Sequence, residues 1–360
     1  MSLKTAVKKI IYGTGYYHLK CRLNHSTKER LLIIMYHDLV DDGARATDWT
    51  QRAEPSVSQF RSQLIALKKR ARILTVVDAM NEIREYGRLK ERTIAITFDD
   101  GLESNYRLGW PVLKELNIPV TIFLPTDWIN GRMSFWWQTL SDTLKQLDGA
   151  RVSATEVYVR LGLEAPEESH SLVGGDARLR LYYELEDRLR LLQTRDAEKR
   201  VERLSDLPHD PTLGPSPETR PMTWDQIREM SRHGIQFGAH TVSHPNLSFV
   251  DKTTAEKEFR ESKLEIERQL DKPVVGLAFP YGVDYHAYTG LVDTVKRAGF
   301  VYSLTAVAGY NDHSTNPYLL RRINLPLTSS RALIGRELLL DYLMDNHAPL
   351  SKIAIPAAAM

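Results

Sequence analysis

Residues 30–38, RLLIIMYHD, form an unbroken apolar run that ends in a polar pair. A run of that length without alternation reads as a strand covered on both faces. Over 56–70 the spacing turns helical, with Val57, Phe60, Leu64 and Leu67 along one stripe. RTIAITF (92–98) is a second buried strand, ESNYRLGWPVLKELN (103–117) a helix, and IPVTIFLP (118–125) a third strand. Strand, helix and strand in that order make a βαβ unit, and hence a parallel sheet.

From 128 to 220 the rhythm breaks. FWWQTLSDTLKQL (135–147) and the long stretch 176–204 are helical, and the Pro-rich 207–221 is loop, so this segment reads as a mostly helical insertion. Trp136 and Trp137 are expected in its core, with a sugar platform as the lesser use, and Trp224 is read the same way. The alternation then resumes. Thr223 and Gln226 suit a capping box that opens a short helix. Strands are expected over 234–240, 273–280, 300–306 and 318–326, and helices over 253–270, 288–299 and 330–344. Strands interleaved with helices in this way predict an α/β domain, either a barrel or a doubly wound sheet. The boundaries that follow are an N-terminal arm over 1–30, one domain over 31–345 interrupted at 128–220, and a tail over 346–360.

Composition narrows the chemistry. The chain has 360 residues, 42% of them hydrophobic and 26% charged, which suits a folded domain with ample core. A net charge of +2 carries no nucleic-acid signature, so no such partner is expected. Cys21 is the single cysteine, which rules out an intrachain disulfide and any cysteine-built zinc site. A metal site must therefore use His, Asp and Glu. No apolar run is long enough for a membrane span, and the N-terminus lacks a signal-peptide core, so the expected location is the cytoplasm. Leu3, Val7, Ile10 and Ile11 lie beside Lys4, Lys8 and Lys9, which suits peripheral contact with the inner face of the membrane. An arm packed on the domain is the alternative.

ITFDDG (96–101) places two carboxylates side by side. Asp-Gly is a common hairpin signal, but here it leads into a helix, so Asp99 and Asp100 belong to a βα loop beyond the C-terminal end of a parallel strand. FGAHTVSHPNLS (237–248) sets His240 at a strand end and His244 four residues later, a common metal-ligand spacing, with Pro245 suiting the first turn of a helix. Both loops open on the same sheet edge. One Asp with two His makes three ligands, and the other Asp stays free to take a proton from water. The cation's charge offsets the repulsion between the paired acids.

TFDDG and HTVSHP resemble the first two motifs of the polysaccharide deacetylase family, the NodB-homology domain, and FPYG (279–282) resembles the third. IIMYHD (33–38) resembles the branch that trims poly-N-acetylglucosamine exopolysaccharides, in which the motif order is permuted. The resemblance covers roughly 31–125 and 221–330. It implies a distorted (β/α) barrel of about seven parallel strands. It also implies a divalent cation, most often zinc, with cobalt, nickel or iron(II) as alternatives. By resemblance, Asp99 is the general base, and Asp100, His240 and His244 bind the metal. His37 is the general acid, and the Tyr281 backbone N–H helps hold the oxyanion. Pro280, Tyr281 and Arg322 are expected at the substrate. The family's Arg ahead of Pro-Tyr is missing, since Leu277 and Gly276 stand near that place. Arg321 or Arg322 is the candidate replacement, orienting the base. The C-terminal Leu-x-His motif is also absent, so the acid role rests on His37.

The activity so implied is metal-dependent removal of N-acetyl groups from an N-acetylated glycan or a lipid-linked precursor. The competing readings are a deformylase or other amide hydrolase on a lipid-linked amino sugar, and a carbohydrate-binding module with a residual metal site. His25, His233, His286 and His313 have no partner by spacing and are left unassigned.

Overall fold

A computed structural model describes residues 30–43, 54–167, 171–210, 219–282 and 284–324. Its strands are β1 (Leu31–Tyr36), β2 (Arg72–Ile73), β3 (Thr93–Phe98), β4 (Thr121–Leu124), β5 (Gln236–Ala239), β6 (Gly276–Ala278), β7 (Tyr302–Leu304) and β8 (Ile323–Asn324). All of them pair in parallel, in the order β7-β6-β5-β4-β3-β1-β8, with β2 beside β3 off this path. The unbroken apolar runs that predicted β1 and β3 have a direct cause: every residue of both strands is buried.

The sheet closes on itself. β8 pairs with β1 at Ile34–Ile323 and Met35–Asn324, while Leu320 bridges Leu304 of β7. Residues 320–324 therefore tie β7 back to β1, which selects the barrel over the doubly wound sheet. The barrel is uneven. β1 and β3 share six register pairs, whereas β5 and β6 share one, Ala239–Leu277.

Helices α1 (Val57–Lys68), α2 (Val76–Tyr86), α3 (Trp110–Leu116) and α4 (Thr126–Ile129) accompany β1 to β4. The expected helix over 103–117 opens instead as a π turn at Asn105–Gly109, a distortion common near functional sites. β2 and α2 had no distinct pattern in the sequence. The insertion supplies α5 (Trp136–Gln146), α6 (Ala154–Leu161), α7 (Gly175–Leu189) and α8 (Thr194–Glu202). The stretch expected as one helix over 176–204 breaks at 190–193. These four helices bury a second core built on Leu140, Leu144, Val157, Leu161, Leu185 and Ala197. α9 (Trp224–Arg232) carries the expected Thr223–Gln226 capping box. α10 (Lys252–Leu270) is capped by Asp251, and α11 (Tyr285–Thr289) and α12 (Val292–Arg297) replace the single helix expected over 288–299.

Among the described residues, no helix is long and apolar enough to cross a membrane. The arm over 1–29, the helix expected over 330–344 and the tail over 346–360 lie outside them.

Candidate functional site

The C-terminal ends of the strands build the site. After β3 the chain turns sharply, because Asp100 (φ 68°) and Gly101 (φ 60°) are both left-handed. Gly101 is required twice over there, since a Cβ would also lie 2.5 Å from the Leu124 side chain. Asp99 N–H donates to the Tyr36 carbonyl at 3.0 Å and Met222 N–H to that of Gly101 at 2.9 Å, which fastens the turn on both sides. His240 follows β5, its N–H donating to the Leu124 carbonyl at 3.0 Å. Thr241 (φ 69°) and His244 (φ 51°) are left-handed as well. His244 therefore lies in an irregular loop and not in a first helical turn; the next ordered element is a 3₁₀ turn at Leu247–Phe249. Glu258 of α10 holds this loop, accepting from Val242 N–H (2.8 Å), Ser243 N–H (2.9 Å) and the Ser243 hydroxyl (2.8 Å).

These turns bring three ligand atoms together. Asp100 Oδ1 lies 3.6 Å from His240 Nε2 and 3.4 Å from His244 Nε2, and the three residues offer ligand atoms all within 4.8 Å of one another. His240 Nδ1 is 2.8 Å from the Ala278 carbonyl, which can only accept, so the proton sits on Nδ1 and Nε2 keeps its lone pair. Burial holds both imidazoles neutral, pulling His240 down to about 4 and His244 well below its ordinary value. Burial, and then the charge of Asp99, pushes Asp100 well up. Asp100 Oδ1 is buried with no hydrogen-bond donor. Lone pairs converging on an orphaned buried oxygen fit a divalent cation, which removes the cost of leaving that oxygen unpaired.

Asp99 points elsewhere. The Arg322 guanidinium grips both its oxygens, Nη1 to Oδ1 at 2.7 Å and Nη2 to Oδ2 at 2.8 Å, while Arg322 Nε donates to the Thr305 carbonyl at 2.9 Å. Burial alone would raise the Asp99 carboxyl; Arg322 and His240 more than offset it and hold it at about 2. Arg322 is 1% exposed. Of its two expected places, then, it stands at the carboxylate and not on a surface open to substrate. His37 follows β1, and the Asn105 side-chain amide fixes its carbonyl at 2.8 Å. Burial lowers the His37 imidazole, the Asp99 charge opposes that, and Arg322 adds to it.

Tyr281 (φ 62°) and Gly282 (φ 61°) form a second left-handed pair after β6. The Pro280 carbonyl accepts from Gly282 N–H at 2.7 Å and from the Tyr288 hydroxyl at 3.1 Å, so Pro280 shapes the turn from a buried position. The Tyr281 N–H has no acceptor among the described residues. Its ring packs on His244 with centroids 5.4 Å apart, and its phenol oxygen accepts from Trp136 Nε1 at 2.9 Å. Trp137 stands edge-on to His244 at 5.3 Å.

Sequence reasoning overlooked Glu258 and Glu54 here, and read Trp136 as core without its bond to Tyr281. Glu258 and Trp136 sit on helices whose spacing explains them as surface and core, with no signal of where those helices dock. Glu54, half-buried, is pushed up to about 8 by burial and by the nearby Asp38 and Asp100.

The polysaccharide deacetylase family profile matches residues 86–154 and 197–303. A Bacillus subtilis (strain 168) protein described as a polysaccharide deacetylase, YxkH, is 23% identical over 114 residues, covering 32% of this chain and 40% of that protein. The chain thus matches less than half the length of this curated relative. The Streptococcus pyogenes deacetylase PplD has a similar structure (TM-score 0.56, 16% identity, 89% of this chain and 100% of that one). So do a de-N-acetylase from Aggregatibacter actinomycetemcomitans (TM-score 0.53, 16%, 86% and 100%) and IcaB from Ammonifex degensii (TM-score 0.50, 16%, 88% and 98%). At that identity the structural likeness is one of fold. Fold and family profile agree: the chain belongs to the polysaccharide deacetylase family.

Proposed function

We propose that this protein removes N-acetyl groups from the amino sugars of a glycan or a lipid-linked glycan precursor. The observation that carries this reading is the division of the acid pair. Asp100 joins His240 and His244, while Asp99 stays outside that triad under Arg322. A site that only bound a cation would need one acid, not a second one held ionised beside it.

A divalent cation, zinc in this reading, held by Asp100, His240 and His244, supplies Lewis-acid polarisation of the acyl carbonyl and acidifies a water. Asp99 takes the proton of the attacking water. The Arg322 fork engages one lone pair on each Asp99 oxygen and leaves another free on each. The Tyr281 N–H, with no protein acceptor among the described residues, donates to the developing oxyanion. His37 gives a proton to the departing amine nitrogen. Asp99 and His37 both act by charge on His240 and His244, which suits one compact reaction centre.

The test is acetate release from a panel of N-acetylated glycans, with bound metal measured on the same preparation. Asp99→Asn is expected to keep the metal and lose turnover, and His240→Ala to lose both. A wild-type protein that binds no metal under metal-replete conditions would sink the reading. Bound metal without acetate from any substrate would remove the N-acetyl assignment.

A further inference from the structure

The helical insertion reaches the site through a few side chains. Trp136 opens α5, is 2% exposed, and belongs to the insertion's own core. Its indole N–H nevertheless donates out of that core, to the Tyr281 phenol at 2.9 Å. The Thr194 hydroxyl, at the start of α8, accepts from Asn246 N–H at 2.8 Å, in the loop that carries His244. Trp137 packs edge-on to both Tyr281 (6.1 Å) and His244 (5.3 Å). The insertion therefore touches the two loops that carry Tyr281 and His244. Both residues stand in left-handed backbone that a non-glycine residue keeps only where its surroundings impose it. The phenol is the lever by which they do so at Tyr281.

We propose that Trp136 is a positioning residue: its indole N–H, delivered by the helical insertion, holds the Tyr281 phenol and thereby fixes the Pro280–Gly282 turn and the ring packed on His244. The catalytic consequence rests on the proposed deacetylase reading, in which the N–H of that turn serves the oxyanion. On this view the insertion completes the active site rather than decorating the barrel.

The test uses the full chain with Trp136→Phe, Tyr281→Phe and the double variant. Each single change deletes the same hydrogen bond from one end. Each is expected to lower kcat for acetate release by about 3- to 10-fold, with KM and bound metal unchanged. The double variant is expected to fall no further than the lower single, because no second bond remains to be lost. A readout free of turnover is amide hydrogen exchange in the metal-free protein, which is expected to rise equally in the Phe279–Gly282 segment of both single variants. Unchanged exchange in that segment, or losses that multiply in the double, would overturn the proposal. If Trp136→Phe loses its fold, Tyr281→Phe decides alone, since it leaves the insertion's core intact. If wild type releases no acetate, the deacetylase reading fails while the exchange result still judges the clamp.

Discussion

Arg322 and Asp99 are 1% and 2% exposed, and two hydrogen bonds of 2.7 and 2.8 Å join them. Removing one partner strands a buried charge. Arg322→Leu is therefore expected to cost about 3–5 kcal/mol in urea unfolding, and the double Asp99→Asn/Arg322→Leu variant to recover part of that. A loss under about 1 kcal/mol would mean the pair does not hold the barrel's closing segment. The same pair sets an acid limit. The Asp99 carboxyl lies at about 2 in the folded protein against an ordinary 3.8, so the unfolded chain takes up that proton first. Its contribution is complete above about pH 4 and is lost as pH falls through about 2. Metal-free wild type should accordingly lose stability over that window more steeply than Asp99→Asn. Parallel curves would contradict the assignment. TFDDG together with HTVSHP pointed to Asp99 as the candidate general base. Its partner was narrowed to Arg321 or Arg322 but not chosen, since 223 positions separate Asp99 from Arg322 and only barrel closure brings the two together.

At the scale of elements, strands were the easiest to read and helices the easiest to misjoin. β1 and β3 announce themselves by unbroken apolar runs, because both of their faces are covered. The 176–204 stretch keeps helical spacing straight through 190–193, so the break between α7 and α8 left no mark in the pattern. The same holds for function. Glu258 lies on a helix whose stripe predicts its existence but not the loop it meets. Its three bonds restrain the strained segment that bears both candidate His ligands. Glu258→Ala is expected to weaken metal binding by roughly 10- to 100-fold in chelator competition, with Glu258→Gln intermediate, since its amide oxygen still accepts. Equal affinities across the three proteins would show that the loop needs no such brace. Gly101→Ala tests the other metal-bearing loop. A left-handed Cβ placed 2.5 Å from Leu124 should lower both the melting temperature and the bound metal. An unaffected variant would mean the turn relaxes freely.

Across the whole molecule, the candidate ligands come from two strand ends far apart in the chain, so a cation bridging them ties together the β3 and β5 sides of the barrel. Binding only to the folded state must stabilise it. At a free metal concentration about 100 times Kd the gain is about 2.7 kcal/mol, and chelation should remove it. The melting temperature of wild type is expected to rise with added metal, and that of His240→Ala to stay flat. A rise in His240→Ala equal to that of wild type would place the metal elsewhere. The insertion's separate hydrophobic core belongs to this scale too. The sequence marks the insertion as helical and foreign to the βα rhythm, and the tertiary structure shows it packed against the candidate site through Trp136 and Trp137.

The sequence by itself determined the main strand cores, the βα alternation around the insertion, the paired acids and the two histidines, and through its short motifs the family. These are local properties: burial of both strand faces writes itself as an apolar run, and a βα loop's chemistry sits within a few residues of its strand. Only the tertiary structure decided that the sheet closes, that Arg322 rather than Arg321 answers Asp99, that Glu258 braces the histidine loop and that the insertion's Trp136 meets Tyr281. Each of these depends on which distant surfaces meet. Residue spacing along a chain carries the period of one element, and not the identity of the neighbour its polar groups will find.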